Sequence, residues 1–569
     1  MDTRVFVCSY TDPDVLAHTP KGELGKGIYV YRLDGKTGKL VSEETLSLRP
    51  NPAFLVAHPT RPLLYGTTEC ITRGGELFTL ALGDRSAATA AAAAAADGDD
   101  GDDGDDGASP ADLENGALRA SAASAAARRR RAHRLLSRRP ALGRSTCYIN
   151  VLPGAAHVAA VNYWDARTAV VPIDADSGQL QQFGDDEESV RVTAQPGASY
   201  VDTHSPDRTE HWKYRQRWPH SHCCVTEPYS RRYHFVVDLG LDTIFVYELA
   251  PPAADGAPAG FAEVASVALE KGLGPRHLVF HPRLPLAFVI NELRSTMATL
   301  AYTDPASLGA SAAAPLRCSV GADAAERTVL RQTALRSTLP AAYASTPEGR
   351  GTVFPDGTWK ANSHCSEIRL HPSGKFLYVG NRGHESIAVF RVVGGGEGEE
   401  AELPAGAAPA GTLQEVATED SGGACPRNFN FDASGRFVLV GNQDSNNITV
   451  FRLAPDGSFA EKTDVVHQPS PNYLYALPFD RHGGSCSSDS NGSSDALGAM
   501  RRPGAGRSVH ADFDAAVKGH QLSQKRRHLG VFVLEHCPSL FNVASFAGFS
   551  LLVFLVVWVK NNVGHAYDL

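Results

Sequence analysis

Side chains that move protons or hold anions recur at matching places along this 569-residue chain. His222 lies in HSHCCV (220–225), Arg276 and His277 in GPRHLVFHP (274–282), and His364 in SHCSEIRL (363–370). Each stands near the start of a run expected to form a strand. At the strand–turn junctions that follow stand Asp238, Glu292, Asn381 with Arg382, and Asn442 with Asp444. A Glu or His can take or give a proton, whereas an arginine is a planar bidentate donor for phosphate, carboxylate or a developing oxyanion. One such residue in a turn is usually satisfied locally. Several in phase are harder to dismiss, because each desolvated charge costs stability unless paired.

His220 and His222 alternate along one strand and so share a face, which makes a metal-ligand pair conceivable. No HExxH on a helix and no CxxC supports it. The reading adopted is one catalytic and one structural histidine, with no metal and no cofactor.

What would bring these residues together is a repeat. Six units lie between residues 50 and 453: NPAFLVAHPTRPLLYGTTE (51–69), a degenerate copy at 154–173, then 220–249, 274–302, 363–392 and 426–453. Each reads apolar strand, turn with Pro or Gly, strand, short polar turn, strand. FLYVGN and SIAVFRV alternate with period two, and HPSGK (371–375) supplies Pro and Gly where a hairpin needs them. With a more variable fourth strand, units of this size are propeller blades, which must stack around an axis to bury both faces. A seventh unit assembles from SPNYLYALPF (470–479) with the N-terminal strands VFVCSY and GIYVYRL, which removes an open sheet edge. The expected fold is all-β, a seven-bladed β-propeller over residues 3–480.

Low-complexity stretches interrupt it. Residues 84–143, 303–350 and 393–420 are Ala-, Gly- or charge-rich and are expected to be disordered inserts, with 481–530 a linker of the same kind. Arg128–Arg131 and the acidic DGDDGDDGDDG (97–107) partly neutralise each other, so a solvated insert is favoured over a nucleic-acid patch. The net charge of −9 points the same way, away from nucleic acid as a partner. Ten scattered cysteines suit a reducing compartment, and MDTRVFVCSY lacks the basic and apolar regions of a secretory signal, so a cytoplasmic protein is expected. Residues 541–559, FNVASFAGFSLLVFLVVWV, carry no charge over 19 residues. That length nearly crosses a bilayer, and the segment reads as a transmembrane tail anchor with the propeller facing the cytosol.

GLGPRHLVFHP (272–282), VINEL (289–293), HSHCCV, DLGLD (238–242), LYVGNRGHESIAVF (377–390) and PRNFNFD (426–432) together resemble the seven-bladed lactonase family. That family comprises propeller-type 6-phosphogluconolactonases and fungal carboxy-cis,cis-muconate cyclases. The resemblance implies a catalytic set of His222, Arg276, Glu292 and Arg382. His277, His364, Asn381 and Arg427 are the accompanying candidates for substrate binding. It implies a small anionic lactone as partner, most simply 6-phospho-D-glucono-1,5-lactone of the oxidative pentose phosphate pathway, with Glu292 or His222 activating water. A cycloisomerase would use the same residues to clamp carboxylates and move a proton to or from carbon. A degenerate propeller that only binds proteins is the third reading, although the GH…WD signature of such scaffolds is missing. The sequence departs from the family pattern at Asn428, where an acidic residue is usual, and in the weak second unit.

Overall fold

The period-two runs form seven antiparallel sheets, each laid down from an inner strand outwards. The computed structural model describes residues 1–18, 20–83, 132–183, 190–197, 215–254, 256–321, 327–353, 359–399 and 408–479. The inner strands are Pro52–Ala57, Thr146–Val151, Ser221–Thr226, Pro275–Phe280, His364–Leu370, Pro426–Phe431 and Pro471–Pro478. They define blades 1 to 7. Each inner strand packs against the next, and the seventh returns to the first, so the ring is closed.

Closure uses both ends of the described chain. Pro471–Pro478 pairs antiparallel with Thr3–Ser9, which continues into Gly27–Leu33 and Leu40–Ser47. Blade 7 thus has one C-terminal and three N-terminal strands.

Inner and second strands lie between neighbouring blades and are apolar on both faces; all six residues of Leu286–Asn291, for example, are buried. Outer strands have solvent on one side and show it: Leu40–Ser47 exposes Val41, Ser42, Thr45 and Ser47. Two tyrosines pin one blade to the next. Tyr65 Oη donates to the Gly178 carbonyl at 2.5 Å, and Tyr378 Oη to the Gly457 carbonyl at 2.6 Å. Both acceptors are turn glycines in the left-handed region, at φ +71° and +88°. Tyr378→Phe should therefore cost about 1 kcal/mol in urea unfolding by stranding a buried carbonyl. An unchanged midpoint would show that water replaces the phenol.

Two sequence expectations are corrected. The ranges read as disordered inserts contain outer strands: Arg134–Pro140 completes blade 1, Leu330–Ser337 blade 4 and Leu413–Asp420 blade 5. Leu316–Ser319 adds a fifth, parallel strand to blade 3. An edge strand buries only part of one face, so its sequence can be as polar as a loop. The second correction concerns the membrane. Among the described residues no helix is long and apolar enough to cross one. The two described α-helices, Ala341–Ala344 and Pro347–Arg350, are four residues each, against the roughly 20 a span requires. The transmembrane tail, membrane anchoring and tail-anchored localisation expected from 541–559 are therefore not retained. That segment itself lies outside the described residues.

Candidate active site

Every inner strand carries the same irregularity. Its pairing with the second strand shifts register just after Pro52, Thr146, Ser221, Pro275, Cys365, Pro426 and Pro471. An extra residue at such a bulge twists the strand and re-aims a side chain. The residues placed there are Ala53, Cys147, His222, Arg276, Ser366, Arg427 and Asn472. One position further on, Phe54 stacks within 4.3 Å of Tyr148 and 4.0 Å of Tyr473, an aromatic floor beneath the polar layer.

The second strands end in phase too, and a one-residue step separates scaffold from site. The residues paired just before each bulge include Asn162, Asn381 and Asn442, which donate to the carbonyls of Ala141, Thr338 and Ser421 at the end of the preceding blade. Asp238 likewise accepts from His220 N, Ser221 Oγ and Leu241 N, all at 2.9 Å. The residues immediately after these positions are Tyr10, Glu69, Tyr163, Leu239, Glu292, Arg382 and Gln443, and Glu292 and Arg382 among them meet.

Glu292 is the centre. GLGPRH explains its placement: Asp242 accepts from the amides of Gly272 and Gly274 at 2.9 and 2.8 Å, and the Gly274 carbonyl accepts from Glu292 N at 2.7 Å. Gly274 is at φ +64°, and a Cβ there would lie 2.5 Å from Leu293 Cγ, so this turn needs glycine. Glu292 Oε1 receives Arg382 Nη2 at 2.7 Å and Arg215 Nη2 at 2.8 Å, while Arg276 Nε is 3.2 Å from Oε2. Three guanidinium groups thus surround one carboxylate. Arg276 Nε, Arg382 Nε and Glu292 Oε2 are buried without a hydrogen-bond partner.

Burial alone would raise the Glu292 carboxyl, yet Arg215, Arg382 and Arg276 outweigh it and hold the group well below the usual carboxylate range. Arg276 is pulled down to about 10 by burial, with Arg382 and Arg427 adding to it against Glu292. The neighbouring histidines stay neutral. Burial, then Arg276 and His277, pushes His222 well below its ordinary value, and burial with Arg276 lowers His277 to about 4. Burial and Arg382 bring His364 to about 3. His222 Nδ1 lies 3.8 Å from Cys147 Sγ, and its ring meets Tyr163 and His277 edge-on at 5.2 and 5.0 Å. Three cations, one anion and neutral imidazoles leave a surplus of two positive charges around Glu292, with Arg276 buried and Arg215 and Arg382 half-buried.

A second network adjoins it. His277 Nδ1 lies 3.0 Å from Glu367 Oε1, and Glu367 Oε2 meets Arg369 Nη2 at 3.5 Å and accepts from Asn428. Burial would raise Glu367, but His277 and Arg369 take it down to about 2.

Of the residues singled out from sequence, His222, Arg276, Glu292, Arg382 and His277 meet in this cluster, and His364 pairs in register with Arg382. Arg427 lies nearby, its Nη2 3.7 Å from Glu69 Oε1 and its guanidinium 5.2 Å from the Tyr10 ring centre. Asn381 does not turn to the cluster; its amide is held by Thr338 and Ser386. His220 stacks on Tyr163 at 4.7 Å and contacts the Tyr163 carbonyl at 3.1 Å. Among the described residues no group of three or more His, Cys, Asp or Glu could hold a metal ion.

Sequence reading missed Arg215, which lies outside the repeat and also donates to Tyr163 Oη at 3.0 Å. It missed Glu69, although TTE occupies the phase of INE. Asn428 proves to be a partner of Glu367, so the acidic group absent from PRNF is supplied by the preceding blade.

A family model described as "Lactonase, 7-bladed beta-propeller" matches residues 112–319 and 350–475, more than half of the chain. A Bacillus subtilis protein named 6-phosphogluconolactonase is 28% identical over 330 residues, which cover 58% of this chain and 72% of that protein. An uncharacterised Lactococcus lactis protein is 29% identical over 216 residues, but the chain spans only 46% of its length. Among solved structures, a Lactobacillus plantarum protein matches with a TM-score of 0.54 at 23% identity, covering 84% of this chain and 100% of its own. A periplasmic gluconolactonase from Pseudomonas aeruginosa matches with a TM-score of 0.55 at 21% identity and coverages of 84% and 100%. At these identities the structural likenesses speak for the fold.

Proposed function

The chain belongs to the lactonase family of seven-bladed β-propellers, and from that premise we propose that it hydrolyses a phosphorylated sugar lactone, 6-phospho-D-glucono-1,5-lactone being the first candidate. The observation that carries this reading is the set of three arginines, buried or half-buried, around Glu292, with two positive charges in excess. Such an excess is costly unless an anion completes it. A lactone phosphate supplies that anion, and the carbonyl oxygen becomes a second during attack by water. The Bacillus relative's name agrees with this substrate class.

In the proposed reaction Arg276 and Arg382 hold the phosphate or the forming oxyanion. Neutral His222 takes the proton of the attacking water. Glu292, clamped by three guanidinium groups, positions the arginines. Because His222 stays neutral well below the ordinary histidine range, acidifying from pH 7 to pH 6 should not cost kcat/KM through its protonation.

The test is lactone opening by the full chain, read as the excess over spontaneous opening in buffer. Arg382→Gln should lower kcat/KM about 10²-fold for the phosphorylated lactone and less for glucono-1,5-lactone. An equal loss on both would place Arg382 on the carbonyl. A folded wild type with no excess on either lactone would reject the reading.

A further inference from the structure

Glu69 holds in blade 1 the place that Glu292 holds in blade 4, the first residue after the second strand. The two carboxylates are treated very differently. Where Glu292 has guanidinium contacts of 2.7 to 3.2 Å, Glu69 has the Tyr10 hydroxyl at 3.3 Å from each oxygen and Arg427 Nη2 at 3.7 Å. It is nevertheless buried, with 6% of its surface exposed. A buried carboxylate held this loosely costs stability, which is the pattern expected of a group kept for chemistry.

We infer that Glu69 is a further catalytic residue, the acid that protonates the leaving ring oxygen of the lactone. The inference rests on the lactonase reading above. The groups facing Glu69 come from four blades. Tyr10 belongs to blade 7, with the His18 ring 5.4 Å behind it, Arg427 to blade 6, Arg276 to blade 4 and Cys147 to blade 2. Arg276 and Cys147 are also neighbours of His222, so the two proton-handling groups share one set of surroundings.

Those surroundings shift the two groups in opposite directions. Burial raises the Glu69 carboxyl despite Arg427, Tyr10 and Arg276, while burial and Arg276 keep His222 neutral. The ordinary gap between a carboxyl and an imidazole is thereby narrowed, which suits a histidine base working beside a carboxylic acid. The bond changes balance. Water oxygen bonds to C1 as a water proton passes to His222. The C1–ring oxygen bond then breaks as Glu69 delivers its proton to that oxygen. The new carboxylic acid ionises to solvent, and His222 returns its proton to Glu69.

The experiment measures the enzyme-dependent opening of 6-phosphogluconolactone by the full chain between pH 5 and 7.5. Glu69→Gln should lower kcat about 10²-fold with KM within a few-fold, and should abolish the alkaline limb of the profile. Retained kcat and an unchanged limb would overturn the inference. If Glu69→Gln does not fold, Tyr10→Phe decides. Losing the phenol removes a bond that favours ionised Glu69, so the alkaline limb must move to higher pH, and a fixed limb overturns the proposal. A wild type inactive on the lactone defeats the functional reading and this proposal with it, an outcome distinct from an active wild type that ignores Glu69→Gln.

Discussion

Lowering the pH from 7 to 5 is expected to destabilise the protein progressively. The cause is a set of buried histidines. Burial takes His220, His234, His277 and His281 to about 4 and His364 to about 3, and holds His222 well below its ordinary value. In the unfolded chain each titrates near 6.5. Between 6.5 and 4 the unfolded state therefore binds protons that the native state refuses, and stability falls as pH falls. Above 6.5 both states are neutral and there is no effect. Asp165 and Asp238, both raised to about 6 by burial, act in the opposite sense between 6 and their unfolded value. Six such histidines outweigh two aspartates, so the net effect over this interval is a loss of stability as the pH falls. Urea midpoints at pH 7, 6 and 5 should fall steadily with an unchanged slope. A flat series would mean that these histidines accept protons in the folded ring.

Glu292→Gln should be the most damaging single change at the axis. It removes the carboxylate that contacts three guanidinium groups, and breaking a buried pair in this way costs about 3–5 kcal/mol. Turnover should drop by about 10³-fold or more, since the arginines lose the partner that aims them. Two accompanying results identify the mechanism. Adding Arg215→Gln should recover part of the lost stability, because the second change removes one uncompensated charge. Millimolar phosphate should also stabilise Glu292→Gln more than it does the wild type, by binding where the carboxylate was. If the double variant is simply the sum of the singles, the cluster is not the coupled unit described here.

Much of this architecture was legible in the sequence, because inner and second strands are buried on both faces and must show it. The seven units, and the return of VFVCSY to pair beside NYLYALP, followed from that constraint alone. The outer strands were not legible. RLLSRRP in blade 1 and LQEVATED in blade 5 bury too little to stand out from the low-complexity residues around them. For the cluster, phase offered a wider set from which the family resemblance singled out His222, Arg276, Glu292 and Arg382. Phase also misled: Asn381 and Arg382 are adjacent, yet one ties blades together and the other meets Glu292. Arg215 escaped because it comes from a connection that obeys no repeat. Glu69 was passed over because blade 1 offers only Ala53 at its bulge, so nothing ionic drew attention to that unit.

The shared blade has a bearing on biosynthesis. Thr3–Ser9 is made first, yet the strand that covers its inner edge, Pro471–Pro478, is made last of the described elements. Until that strand has been made, the edge presents unpaired amides and carbonyls flanked by Val5, Phe6 and Val7, a template for pairing with a neighbouring nascent chain. Joining the ring across so long a stretch also places the slowest contact at the end of folding. Conditions that delay release of the C-terminal strand should therefore divert the protein toward strand-exchanged oligomers before they affect any blade in between.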